Sequence, residues 1–400
     1  MNTNSFNIFA YLRLYLILGT VLSTVLMGGC ASPAKQPKVD KTKVEQLATR
    51  GYDSGIEYAT SITKLSWNIK NEYRQITIVQ PNREGKYPLV IYLPGLGESS
   101  DAGVDMRNAW ARSGYVILSF QSLEDDENVW SSKAARNADF AYIRHERYSS
   151  EVISERLDIL TKVIGYLKQH VVSGEAGLQR MDLSHIAIVG FDVGASSAMV
   201  IAGEDYPSVS NADLPVHVDG VIALSPYADF SGSALDVRYR NINLPVLSIT
   251  SDADGDIHGG VPPSLHQAPF QYMPPGNKYL LLLAGASHSV IGNEDTGKST
   301  LAEGDSKSQQ TESGNTGEGS GSGGGRRHGK KASNSGGDSG SFSQREGGSS
   351  PTQRALIEVA IEQVTTAFLN AYIKNDKFSL EWLNKDAQPW LNKIGQLKEK

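Results

Sequence analysis

Residues Gly190-Phe191-Asp192-Val193-Gly194 have the outline of a G-x-S-x-G turn, with an aspartate where that pattern carries serine. In such a turn the central side chain is lifted out between a strand and a helix as a nucleophile, and the glycines keep neighbouring side chains from colliding with either element. A carboxylate there can attack carbon or draw a proton from water. Asp254, in Ser251-Asp252-Ala253-Asp254-Gly255-Asp256, and His288, in Gly285-Ala286-Ser287-His288-Ser289, follow in the order nucleophile, acid, histidine. An imidazole oriented by one carboxylate and facing the other is the arrangement that activates water. His258 and His266 are near enough in sequence to remain alternatives to His288. The backbone N–H groups of Leu96 and Val193 are expected to form an oxyanion hole. The alternating aspartates 252, 254 and 256 suggest a calcium loop, but Pro263 stands where the twelfth-position glutamate would be, so no metal is expected.

These residues need elements to position them. Ile186–Val189 reads as a strand before the turn, and the small, apolar Ala195–Ala202 as a helix after it. Leu89–Leu93, Tyr115–Phe120, Val221–Ser225, Val246–Thr250 and Tyr279–Leu283 are apolar runs of the kind buried on both faces of a parallel sheet, and Gln75–Val79 is a short alternating strand. Leu157, Leu160, Ile164 and Leu167 recur at helical spacing, as do Leu356, Val359, Ala360, Val364, Ala367, Phe368 and Ala371 near the end of the chain. Strands alternating with helices predict an α/β, doubly wound, mostly parallel sheet. Ligands bind such sheets beyond the carboxyl ends of the strands, which places Leu96, Asp192, Asp254 and His288 on one rim.

The 400 residues carry a net charge of −6 and no basic stripe, so nucleic acid is not an expected partner. Arg13 followed by the apolar run Leu14–Met27 has the length of a secretory signal core. That run ends in Leu26-Met27-Gly28-Gly29-Cys30, and Cys30 is the one cysteine of the chain, so no internal disulfide can form. Residues 1–29 are expected to be a signal peptide, Cys30 a lipidation site, and 30–54 a tether. The globular pattern covers 55–291, resumes over 354–400, and is interrupted by a Gly/Ser-rich tract, 292–353, too poor in apolar residues to fold.

Beyond the turn, the phrases Leu183–Gly190, Leu224-Ser225-Pro226, Leu244–Leu247, Met273–Tyr279, Gly285–His288 and Thr365–Leu369 together resemble the platelet-activating-factor acetylhydrolase and dienelactone hydrolase-like branch of bacterial α/β-hydrolases. Cys30 and its surroundings resemble the lipobox of bacterial lipoproteins. The resemblance implies an α/β-hydrolase fold without a cap domain. It also implies a carboxylic ester substrate, small or lipid-like, no cofactor, and a lipid-anchored place in the cell envelope, at the outer membrane. The chain departs from that branch at Asp192, where the family has serine, and at Pro94, where a histidine commonly precedes the glycine.

Three activities therefore stay open. The first is hydrolysis of carboxylic esters by an Asp-His-Asp site, although a carboxylate attacking an ester would give an anhydride. The second is carboxylate attack at carbon, as in haloalkane dehalogenases and epoxide hydrolases. Those enzymes carry a cap after the sixth strand, and the stretch between Pro226 and Leu244 is too short for one. The third is a hydrolase fold without catalysis that serves as an envelope-associated binding protein.

Overall fold

The computed structural model describes residues 38–175, 177–210, 214–228, 232–255, 261–293 and 349–400. The chain divides into two units, Met1–Val39 and Asp40–Lys400, and the sheet and its helices belong to the second. The expected signal peptide, Cys30 and nearly all of the Gly/Ser-rich tract lie outside the described residues.

Among the described residues nine strands form one sheet in the order β1-β2-β4-β3-β5-β6-β7-β8-β9. They are β1 (Thr60–Ile69), β2 (Glu72–Pro81), β3 (Tyr87–Leu93), β4 (Val116–Phe120), β5 (Met181–Phe191), β6 (Gly220–Leu224), β7 (Val246–Ser251), β8 (Lys278–Leu283) and β9 (Gly395–Glu399). The strands from β4 through β3, β5, β6 and β7 to β8 are parallel to their neighbours. The pairings β1–β2, β2–β4 and β8–β9 are antiparallel. The chain is thus an α/β protein with a mostly parallel sheet, compatible with an α/β-hydrolase-like fold.

Seven helices matter here: α1 (Lys41–Arg50), α2 (Val104–Arg112), α3 (Phe140–Arg147), α4 (Ser150–Val172), α5 (Val193–Ala202), α6 (Pro351–Ile373) and α7 (Lys377–Lys385). Successive strand residues point to opposite faces, so each apolar run serves two cores. Leu89, Ile91 and Leu93 of β3 pack with Ile159, Val163 and Leu167 of α4 and Ala195 and Ala198 of α5. Val90 and Tyr92 pack on the other side with Trp110 of α2, Val364 and Phe368 of α6, and Trp382 of α7.

Four features differ from the sequence reading. Strand β1 is present because Lys70 and Asn71, both at positive φ (57° and 67°), close a two-residue hairpin onto β2. Strand β9 forms by pairing with the edge of β8. Part of the segment read as a tether is helix α1, held by hydrogen bonds from the Gln363 side chain to Ala48 O and from the Trp390 indole to Leu47 O. Helix α6 begins at Pro351, capped by Ser350, a few residues before the expected boundary.

Candidate active site

The bend between β5 and α5 is sharp. Asp192 takes φ 54° and ψ −116°, a conformation that side chains other than glycine adopt only under constraint. The constraint is backbone packed on backbone. A Cβ on Gly190 would stand 2.1 Å from Gly194 O, and one on Gly194 would stand 2.1 Å from Leu93 O. The Asp192 N–H donates to Leu224 O (3.1 Å), and its carbonyl accepts from Ser196 N–H (3.2 Å), so the bend is tied to both β6 and the new helix.

Asp192 is 6% exposed, and its carboxylate has three neighbours that matter. Leu96 N–H donates to Oδ2 (3.1 Å). The Tyr148 hydroxyl donates to Oδ1 in a short hydrogen bond. His288 Nε2 lies 3.9 Å from Oδ1, too far for a hydrogen bond and near enough for one water to touch both. On its other side His288 Nδ1 meets Asp254 Oδ1 at 2.9 Å. With Asp254 ionised, the Nδ1 proton lies on that bond, which turns Nε2 toward Asp192.

Asp254 is fully buried, which by itself would raise its pKa. The hydrogen bond and charge of His288, the charge of His266 and the Thr250 hydroxyl (2.6 Å) outweigh burial and hold the carboxyl below its ordinary value. It is therefore an anion at neutral pH. The Phe191 ring packs against His288 from behind, with centroids 4.7 Å apart.

The structure thus brings Asp192, Asp254, His288 and Leu96 together, all at the carboxyl ends of strands. Val193 heads α5 beside them, and the Asp192 side chain does not cap that helix. No family model and no curated protein matches this chain.

Of the neighbours of His288, Ser225 is the one that sequence reasoning does not single out as a site residue. Ser225, at φ 50° and fully buried at the end of β6, places Oγ 3.0 Å from His288 Nδ1. The strand-end rule that located Asp254 would have found it. His266, one of the two alternatives to His288, is buried with Nδ1 3.0 Å from Pro226 O and its ring 6.5 Å from that of His288. The other, His258, lies outside the described residues.

Tyr148 had no local signal. It follows α3 in the connection from β4 to α4, where the chain makes short helical turns at Glu124–Glu127, Val129–Ser131 and Lys133–Arg136 before α3. These turns cover the bend. Val129 and Ile143 pack with Leu96, Val193, Tyr148 and Tyr227 in a third apolar cluster. Tyr148 is steadied by ring contact with Tyr227 (4.3 Å) and by the Tyr206 hydroxyl on its carbonyl (2.7 Å). The buried pair Arg156–Asp126 (2.8 Å) anchors the cover, and Asp126 O accepts from Gly97 N–H (2.7 Å). The connection between β6 and β7 contains only the short helix Leu235–Arg238 among its described residues.

Of the alternating aspartates, Asp252 accepts from Gly285 N–H (2.7 Å) and Asp254 serves His288, while Asp256 lies outside the described residues. Among the described residues no cluster of three or more His, Cys, Asp or Glu side chains could hold a metal ion. No helix among them is long and apolar enough to cross a membrane. Two surface clefts, of about 280 and 390 Å³, are lined by Arg112 and Glu362 and by neither Asp192 nor His288.

Proposed function

We propose that this protein is a hydrolase of the α/β-hydrolase fold in which Asp192 is the nucleophile and attacks an electrophilic saturated carbon, with a strained cyclic ether the best-suited substrate. The observation that carries this reading is the hydrogen bond from Leu96 N–H to Asp192 Oδ2. Ester hydrolysis by acyl attack, the expectation from the family resemblance, would need that N–H for the oxygen of the substrate carbonyl. Here the aspartate itself holds it, and acyl attack would also give an anhydride. Attack at saturated carbon gives an ordinary ester of Asp192 and leaves Leu96 in place for the second step.

The steps balance. Asp192 Oδ1 forms a bond to carbon, the carbon–oxygen bond of the ring breaks, and the departing oxygen takes the proton of Tyr148. His288 Nε2 then removes a proton from water, whose oxygen adds to Cγ of the Asp192 ester. The resulting negative charge develops on Oδ2, in the hydrogen bond from Leu96. In the collapse the Cγ–Oδ1 bond breaks, the departing oxygen takes the proton of the added hydroxyl to give the product alcohol, the carboxylate is restored with the oxygen from water, and the proton on His288 returns to Tyr148.

The apolar cover around Tyr148 and Tyr227 favours a neutral, poorly soluble substrate. The Leu26–Cys30 segment supports a lipid-anchored place in the bacterial envelope, where such compounds arrive from outside. The test is to incubate the protein with an aryl glycidyl ether and follow diol and the Asp192 peptide by mass spectrometry. Diol formation, abolished in Asp192→Asn, supports the reading. No diol and no modified Asp192, with ester hydrolysis appearing in Asp192→Ser, would instead identify a silent fold derived from an esterase.

A further inference from the structure

The Leu96 N–H belongs to a backbone turn, and no side chain of its own aims it. Within Pro94–Glu98, Gly95 N–H donates to Glu98 Oε2 (2.7 Å) and Glu98 N–H reaches back to Gly95 O (3.4 Å). Gly95 is pressed against the bend, since a Cβ there would lie 2.8 Å from the Phe191 ring and 3.1 Å from Asp192 Cβ. The direction of the Leu96 N–H is the direction of one rigid peptide plane, whose other polar end is Gly95 O. That oxygen is held by a residue from the neighbouring strand. Gln121, next after β4 and 8% exposed, donates from Nε2 to Gly95 O (2.9 Å) and to Glu98 O (3.1 Å). Its own Oε1 is fixed by Ser122 N–H (2.9 Å), so the amide cannot turn.

We infer that Gln121 is a positioning residue that sets the Gly95–Leu96 peptide plane and so aims the Leu96 N–H at Asp192 Oδ2. The inference rests on the nucleophile reading above and extends it to a residue that touches no reacting atom. Charge develops on Oδ2 in the second step, so a misaimed N–H slows hydrolysis of the Asp192 ester more than its formation.

The experiment uses the full chain and an aryl glycidyl ether, with wild type, Gln121→Glu and Gln121→Met. Glutamate keeps the shape and removes the donor, and methionine removes both polar atoms without adding charge. The expected result is an ester on Asp192 that forms at close to the wild-type rate and hydrolyses roughly 10- to 100-fold more slowly, so that it accumulates in both variants. A purely structural role would lower thermal stability and weaken both steps together without accumulation, and that result overturns the inference. Variants that turn over like wild type overturn it equally. If wild type gives neither ester nor diol, the nucleophile reading itself falls, and the two failures are told apart by that control.

Discussion

The bend that carries Asp192 and the cover that lies over it are built from different forces. At the bend, glycine backbone packs on carbonyl oxygen at distances that leave no space for a methyl group, and hydrogen bonds tie it to β6 and α5. The cover, residues 124–148, is held by the Arg156–Asp126 ion pair, by ring contact between Tyr148 and Tyr227, and by apolar packing. Backbone contacts have no rotamers to change, whereas side-chain contacts can be remade. The proposed chemistry needs both: a nucleophile that stays fixed, and a closed wall that must yield, because Asp192 is nearly inaccessible in this structure.

Breaking the bend should have the largest effect. Gly194→Ala drives a Cβ into the Leu93 carbonyl, which cannot move without shifting β3, and is expected to cost more than about 4 kcal/mol. Chemical denaturation measures this, and a loss below about 1 kcal/mol would mean that the turn can relax. Arg156→Met strikes the cover by leaving buried Asp126 with only the longer ion pair to Arg147 (3.7 Å), and should cost about 3 kcal/mol. Proteolysis should then cut first within residues 124–147, whereas even cutting along the chain would show that cover and core open together. Tyr148→Phe removes one hydroxyl at a cost of about 1 kcal/mol. Its distinguishing effect is chemical: turnover of a cyclic ether should fall at least tenfold more than reaction with a primary alkyl bromide, whose departing ion needs no proton. Equal losses for the two substrates would remove the phenol from proton transfer.

The smallest effect concerns acid. The Asp254 carboxyl is held below its ordinary value by His288, His266 and Thr250 against the opposing effect of burial. It therefore contributes stability that is complete above about pH 4 and lost as pH falls through the lower folded value. The stability difference between wild type and Asp254→Asn should shrink only below pH 4, and a difference already shrinking near pH 6 would mean that another group titrates in its place.

The same contrast explains what could be read from the sequence. Gly190, Asp192 and Gly194 sit in one short phrase because a bend is a local structure, and apolar runs such as Leu89–Leu93 declare buried strands by composition. Asp254 and His288 are legible because each follows closely on the end of an apolar strand run. Tyr148 meets Asp192 across 44 residues, through a cover whose short helices have no strong period, and nothing local marks it. Gln121 acts through a carbonyl 26 residues away, and backbone partners leave no trace in residue type. Strand β9 exists by virtue of the edge it completes, since Gly395-Gln396-Leu397-Lys398-Glu399 has no strand pattern of its own.

The central claim is that the Asp192 carboxylate forms a covalent ester which water opens at Cγ. A single turnover of an aryl glycidyl ether, with protein in excess over substrate in ¹⁸O-water, tests it most directly. The expected result is ¹⁸O in the Asp192 peptide and an unlabelled product diol. Label in the diol with none in Asp192 would show that water attacks the substrate directly, and would contradict the account.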